Sequence, residues 1–144
     1  MAEPQFRMRK IWEDYDDFYE VNLELIGNDC SVDIQIYLDN EQLEKLQIGL
    51  ESFTKDMGKK VLIWISGSEN VSNNHYVSMR FFLQEKRGIV GVEIFADNKR
   101  ELPYKMRSHF YILTEIGQLD DLAWKLKKFI YNKDREVNSL IYPS

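Results

Sequence analysis

Residues 18–58 read FYEVNLELIGNDCSVDIQIYLDNEQLEKLQIGLESFTKDMG, and this stretch decides the fold. Phe18 to Ile26 alternates in hydropathy. Val21, Leu23 and Leu25 share one face, while Glu20, Asn22 and Glu24 take the other, as a half-buried strand requires. Gly27, Asn28 and Asp29 supply a turn. Cys30 to Leu38 alternates again, with Cys30, Val32, Ile34, Ile36 and Leu38 inward, so the two strands form an antiparallel hairpin. Asp39 and Gln42 then have the spacing of a helix N-cap with its reciprocal partner. Leu43, Leu46, Leu50, Phe53 and Met57 follow as an apolar stripe at helical spacing, and Gly58 closes the helix. Ile48 falls off the stripe.

Further along, Val61 to Ile65 (VLIWI) is apolar on both faces and reads as an interior or covered strand. Ser66 to Asn74 is a polar loop. Its Asn70-Val71-Ser72 sequon carries little weight without a secretory signal. His75 to Gln84 and Ile89 to Ala96 are strands joined by a turn at Glu85 to Gly88. A long strand from Tyr104 to Ile116 ends at Gly117. A last helix, Gln118 to Tyr131, buries Leu119, Leu122, Ala123, Leu126, Phe129 and Ile130. No repeat or low-complexity block is read. Residues 1–17 read as an extra strand or arm, and residues 133–144 as a fraying tail. The expectation is a single α+β domain over 1–144. Its antiparallel sheet has about six strands, in the order β-β-α-β-β-β-β-α, with both helices on one face.

Bulk composition narrows the function classes. At 144 residues, with 44% hydrophobic and 30% charged residues, the chain is ordinary for one globular domain. A lone Cys30 excludes an internal disulfide framework and a cysteine-based metal site, and it favours the reducing cytoplasm. The N-terminus lacks the apolar core of a secretory signal, and no apolar run is long enough to cross a membrane. A pI near 5.1 argues against a nucleic-acid binder.

The charge is unevenly placed. Trp12 to Glu20 (WEDYDDFYE) holds Glu13, Asp14, Asp16, Asp17 and Glu20 without a base, and the formal net charge of the chain is −5. Interleaved with Trp12, Tyr15, Phe18 and Tyr19, these acids suit a basic, partly apolar partner. A calcium loop is a poor alternative, because Asp14, Asp16 and Asp17 lack the glycine and distal glutamate of an EF-hand.

Strand parity defines a second candidate surface. With Val77, Met79, Phe81 and Leu83 inward, Tyr76, Arg80 and Phe82 face away from the helices, as do Glu93 and Phe95 on the next strand. On the last strand Lys105, Arg107, His109 and Tyr111 face out, and Trp64 and Tyr37 are expected to join them. Such a mixture of aromatics with Arg is favoured at interface cores. It is equally what strand propensity and cross-strand pairing produce without function. Catalytic constellations are thin. His75 and His109 do not form a metal-binding pair, Cys30 points inward, and His109 beside Arg107 and Tyr111 is a sparse acid–base cluster. No cofactor or metal is expected.

The layout resembles small bacterial immunity proteins, of the kind that protect a cell from its own wall-associated or contact-delivered toxin. The resemblance is one of pattern. It runs through SVDIQIYLDNEQLEKLQIGLESF, VLIWISG, YVSMRFFLQEKRGIVGVEIFA and SHFYILTEIGQLDDLAWKLKKFI, between Ser31 and Ile130. It implies a cytoplasmic, non-enzymatic antitoxin-like protein that neutralises a partner, often a basic nuclease, by covering it with acidic and aromatic groups. The alternatives are a structural or adaptor module, homodimeric through a sheet face or edge, and a small-molecule binder with a pocket between sheet and helices.

Overall fold

A computed structural model of the chain describes residues 3–67 and 75–141. The α+β class holds, but the strands form two sheets rather than one. In chain order they are β1 (Pro4–Glu13), β2 (Phe18–Ile26), β3 (Ser31–Asp39), α1 (Asn40–Lys55), β4 (Leu62–Gly67), β5 (Tyr76–Glu85), β6 (Ile89–Asp97), β7 (Arg107–Glu115), α2 (Ile116–Tyr131) and β8 (Glu136–Ile141). One four-stranded sheet has the order β3-β2-β1-β8 and the other β4-β5-β6-β7, with every pairing antiparallel.

This order conceals a duplication. Each half of the chain is a three-strand meander, a helix and one further strand. The further strand does not return to its own meander. β4, from the first half, pairs with β5, the first strand of the second; β8, from the second half, pairs with β1. The helices carry the same residues at the same spacing: Gln42, Leu43, Leu46, Leu50 and Phe53 in α1 match Gln118, Leu119, Leu122, Leu126 and Phe129 in α2. All of the Leu and Phe residues in these stripes are buried.

Both outer segments contribute strands, which is one of the two readings of residues 1–17 and a correction for residues 133–144. Residues 133–144 were expected to fray, yet Glu136–Ile141 is β8, held in register from Pro4 opposite Ile141 to Arg9 opposite Glu136. Residues 1–17 contain β1, which lies inside its sheet between β2 and β8. Its alternation is masked because Lys10 occupies an inward position after Phe6 and Met8, while Ile11 and Trp12 are exposed. The Lys10 ammonium lies 5.0 Å from the Tyr19 ring centre and 4.7 Å from that of Phe129, and 3.3 Å from Glu13 Oε2. Burial of a cation is tolerable there because aromatic faces and a carboxylate replace water.

The first helix follows its sequence signals closely. Asp39 Oδ1 accepts from Gln42 N at 2.9 Å, and Gln42 Oε1 accepts from Asp39 N at 3.3 Å, which completes the capping box. The second helix starts directly from β7 at Ile116, so Gly117 lies within its first turn instead of separating strand from helix. β7 starts only at Arg107, because residues 98–106 form a loop held by Asn98, whose Oδ1 accepts from Met106 N at 3.0 Å. The inner faces of both sheets and the buried stripes of both helices belong to one apolar cluster. The helices also touch each other, with Lys127 Nζ 3.7 Å from Glu51 and Tyr131 Oη donating to Glu44 at 3.3 Å.

The two sheets meet at close quarters. Thr114 Oγ1 on β7 donates to Ile141 O on β8 at 3.2 Å. The turn after β2 presses on β7 at Gly27, where a Cβ would stand 2.7 Å from Tyr111 O and 2.8 Å from the Phe110 ring. Only glycine fits that approach.

The strand exchange yields a direct prediction. Pro4 and Ile141 are cross-strand partners, so a short linker can join the ends. A circular permutant with new termini between Gly67 and His75 repeats the same element order. It is expected to fold with a native-like circular dichroism spectrum and one cooperative thermal transition, and loss of that cooperativity would count against the exchange as a symmetric one.

Candidate protein-docking face

The outer face of the β4-β5-β6-β7 sheet is built from cross-strand rows. Ile63, Arg80, Glu93 and Tyr111 form one row; Ile65, Ser78, Phe95 and His109 form the next; Gly67, Tyr76, Asp97 and Arg107 form the third. At the other end Phe82 lies opposite Gly91. The parity expected for Tyr76, Arg80, Phe82, Glu93, Phe95, Arg107, His109 and Tyr111 therefore stands.

Trp64 is a correction. It lies opposite Met79 on the inner face, only 6% exposed, with its indole N–H donating to Gln42 O at 2.9 Å. A strand apolar on both faces gives no parity signal, so the sequence could not say which side Trp64 takes. Ile63 and Ile65 face out instead, 58% and 49% exposed. Tyr37, also expected here, lies on β3 in the other sheet, and Lys105 lies in the loop before β7.

Glu93 organises the face. Its Oε1 accepts from Arg80 Nε at 2.6 Å; its Oε2 contacts His109 Nε2 at 2.8 Å and accepts from Tyr111 Oη at 3.1 Å. These groups hold the Glu93 carboxyl at about 2, well below the usual carboxylate range, with the Arg80 hydrogen bond as the largest cause. The rings are fixed by the same network. Phe95 stacks on His109 at 3.9 Å between centres, Tyr111 meets Phe82 edge-on at 6.4 Å, and the Arg80 guanidinium covers Phe82 at 4.7 Å. Gly91 makes room for Phe82, because a Cβ there would stand 2.4 Å from the ring. Beside Phe95 and His109 a shallow depression of about 290 Å³ opens between Tyr76, Asp97 and Arg107. Asp97 and Arg107 pair at 3.5 Å. The face is thus preorganised, aromatic and internally neutralised.

The acidic segment lies elsewhere. Trp12 and Glu13 end β1, Asp14 to Asp17 form the turn, and Glu20 lies on β2, all in the β3-β2-β1-β8 sheet. The turn is a built one. Asp14 N donates to Phe18 O at 2.9 Å, Asp14 Oδ1 accepts from Asp16 N at 2.9 Å, and Asp17 adopts a positive φ of 57°. Trp12, Phe18 and Tyr37 continue from it as an aromatic row, edge-on at 6.4 Å and then stacked at 5.9 Å. Tyr15 projects fully into solvent. The segment therefore borders the outer face of its own sheet, and β1 does not cover the Glu93 face. Among the described residues, no hydrogen bond, ion pair or ring contact joins the two candidate surfaces.

A third cluster was missed. Ser66 Oγ and His75 Nε2 lie 2.7 Å apart, both buried, at the facing ends of β4 and β5. Burial lowers the His75 pKa to about 4, so the ring is neutral at pH 7. The polar run from Ser66 to Asn74 reads as one loop, which hides the inward position of Ser66 opposite Val77. The rest of that loop, including the Asn70 sequon, lies outside the described residues. Among the described residues no group of three His, Cys, Asp or Glu side chains is placed to hold a metal ion. No helix among the described residues is long and apolar enough to cross a membrane. Comparisons with known protein families, curated proteins and solved structures find no match to this chain.

His75 and Glu93 predict pH behaviour on the acid side. His75 binds its proton less readily folded than unfolded, so its contribution is intact above pH 6.5 and is lost as pH falls from 6.5 towards 4. His75→Gln is expected to flatten the loss of thermal stability across that window. For Glu93, whose proton is likewise bound more weakly in the fold, the contribution is present above pH 4.5 and is lost as pH falls towards 2. Chemical denaturation from pH 5 to pH 2 should accordingly show a shallower decline for Glu93→Gln than for the parent chain.

Proposed function

We propose that this chain is a non-enzymatic binding protein of the immunity or antitoxin kind, acting in the cytoplasm by direct contact with a protein toxin. One observation carries the reading: the solvent-facing aromatic surface whose rings are locked by Glu93. Locked rings lose little conformational entropy on binding, which is what a contact surface gains from preorganisation. Aromatic and Arg side chains are the groups that anchor interfaces.

The non-enzymatic reading is supported by how the titratable groups are used. Glu93 and His109 are engaged with each other and with Arg80 and Tyr111, and the Ser66–His75 pair is sealed from solvent. The acidic turn supplies a separate, electrostatic component. Of the five acids in the segment, Glu13 faces Lys10 and Asp14 closes the turn, which leaves Asp16 and Asp17 at the tip, with Glu20 on β2, to attract a basic partner. Long-range attraction acts on encounter and needs no shared contact with the aromatic face.

The test is co-expression with the product of the adjacent reading frame, scored by copurification and by rescue of growth. The parent chain is expected to form a complex and to neutralise the toxin. Phe95→Ser with Tyr111→Ser should weaken binding by about tenfold or more through faster dissociation. Asp16→Asn with Asp17→Asn should slow association at low salt and converge on the parent at high salt. Unchanged neutralisation by both double variants would remove this face and this turn from the mechanism.

A further inference from the structure

The duplication places two strands, β4 and β8, in equivalent positions, each the outermost strand beside the first strand of a meander. They differ in how their outer edges are treated. β8 is sealed by side chains from α2 and β7: Lys125 Nζ donates to Asn138 O at 2.7 Å, Gln118 Oε1 accepts from Ile141 N at 3.1 Å, and Thr114 Oγ1 donates to Ile141 O. Ser139 Oγ donates to Asp121 at 2.7 Å from the same strand. Among the described residues, no side chain bonds to the backbone of β4, and its backbone hydrogen bonds run to β5 alone.

The sequence of β4 fits an open edge. From Val61 to Gly67 (VLIWISG) there is no charge and no proline, the two devices that most often keep an edge strand from pairing. Val61, Ile63 and Ile65 are all about half exposed. Ile48, the apolar residue off the α1 stripe, is also exposed. It adjoins Gly49, which packs so close to Leu62 that a Cβ would stand 2.6 Å from it. Among the described residues, a backbone edge without side-chain partners and an uncharged apolar sequence coincide on one strand.

We infer that β4 is a pairing edge for a second copy of this chain, which adds its own β4 in antiparallel register across a two-fold axis. A second copy is the occupant because β4 supplies what its own edge lacks, an extended uncharged strand with isoleucines on alternate outward positions. Charge fixes the direction. Lys59 and Lys60 immediately precede the strand, so parallel pairing would set like charges side by side, whereas antiparallel pairing sends them to opposite ends. The result is one continuous eight-stranded sheet, with Ile63 and Ile65 of both copies adjacent on its outer face. A single six-residue strand buries little area, so the dimer is weak and reversible. This association is independent of the proposed partner and leaves the Glu93 face uncovered.

Sedimentation velocity of the whole chain over a micromolar concentration series tests it. The expected result is a reversible rise towards twice the monomer mass. Ile63→Glu with Ile65→Glu should abolish the rise, and Phe95→Ser with Tyr111→Ser should leave it unchanged. Hydrogen exchange of the unaltered chain supplies a readout that needs no variant: β4 amides should gain protection with concentration while β8 amides do not. The proposal is overturned by a monomer at every concentration with unchanged β4 exchange. It is equally overturned by a dimer that survives the isoleucine substitutions in a chain whose circular dichroism shows it folded.

Discussion

The exchange of β4 and β8 between the two halves is the constraint on which the rest of the structure depends. The first meander has its fourth strand at the far end of the described chain, while the second has its own just before it. β1 is completed by residues 136–141, and β5 by residues 62–67, so each sheet contains chain from both halves. The two helices then have little choice of position. Each follows directly from the last strand of one meander and leads to a strand of the other sheet, so both span the junction and pack on each other. One apolar cluster results, shared by both halves, instead of a separate core for each.

How much of this was legible follows from the length scale of each signal. Local signals were clear: the β2–β3 alternation, the Asp39–Gln42 capping box and the parity of β5 and β6 are all written within a few residues. Pairing partners were not, because nothing in β4 says that it must join β5 and not β3. β1 was obscured by one inward lysine, and β8 by its brevity and by the polar Asn138 and Ser139. The duplication was present in the sequence, since Gln42, Leu43, Leu46, Leu50 and Phe53 recur as Gln118, Leu119, Leu122, Leu126 and Phe129. Leucine at helical spacing is so common that the match gains meaning only when the strands around it also correspond.

The candidate surfaces divide along the same line. Parity found most of the outer face of the second sheet but could not find its centre. That Glu93 gathers Arg80, His109 and Tyr111 depends on cross-strand register, which alternation within a strand does not reveal. The acidic turn was visible as composition, yet its placement on the opposite sheet was not. The molecule consequently offers an aromatic surface whose charges are already matched and a separate tip whose charges are not. The matched aromatic surface and the acidic tip lie on different sheets.

The pairing of β1 with β8 also bears on the order in which the protein can be made. A ribosome releases β1 first and β8 nearly last, so the first sheet remains one strand short until almost the whole described chain has emerged. Until then β1 presents an open edge, and β2 and β3 can shield only its other side. Contacts this distant in sequence slow folding and prolong exposure of strand edges. Lys10, set inward on β1, would meanwhile resist adventitious pairing: a mismatched strand would have to bury its ammonium without the ring of Phe129, which α2 provides only later. The residue that obscures β1 in the sequence is thus the one whose burial depends on the element made late, α2.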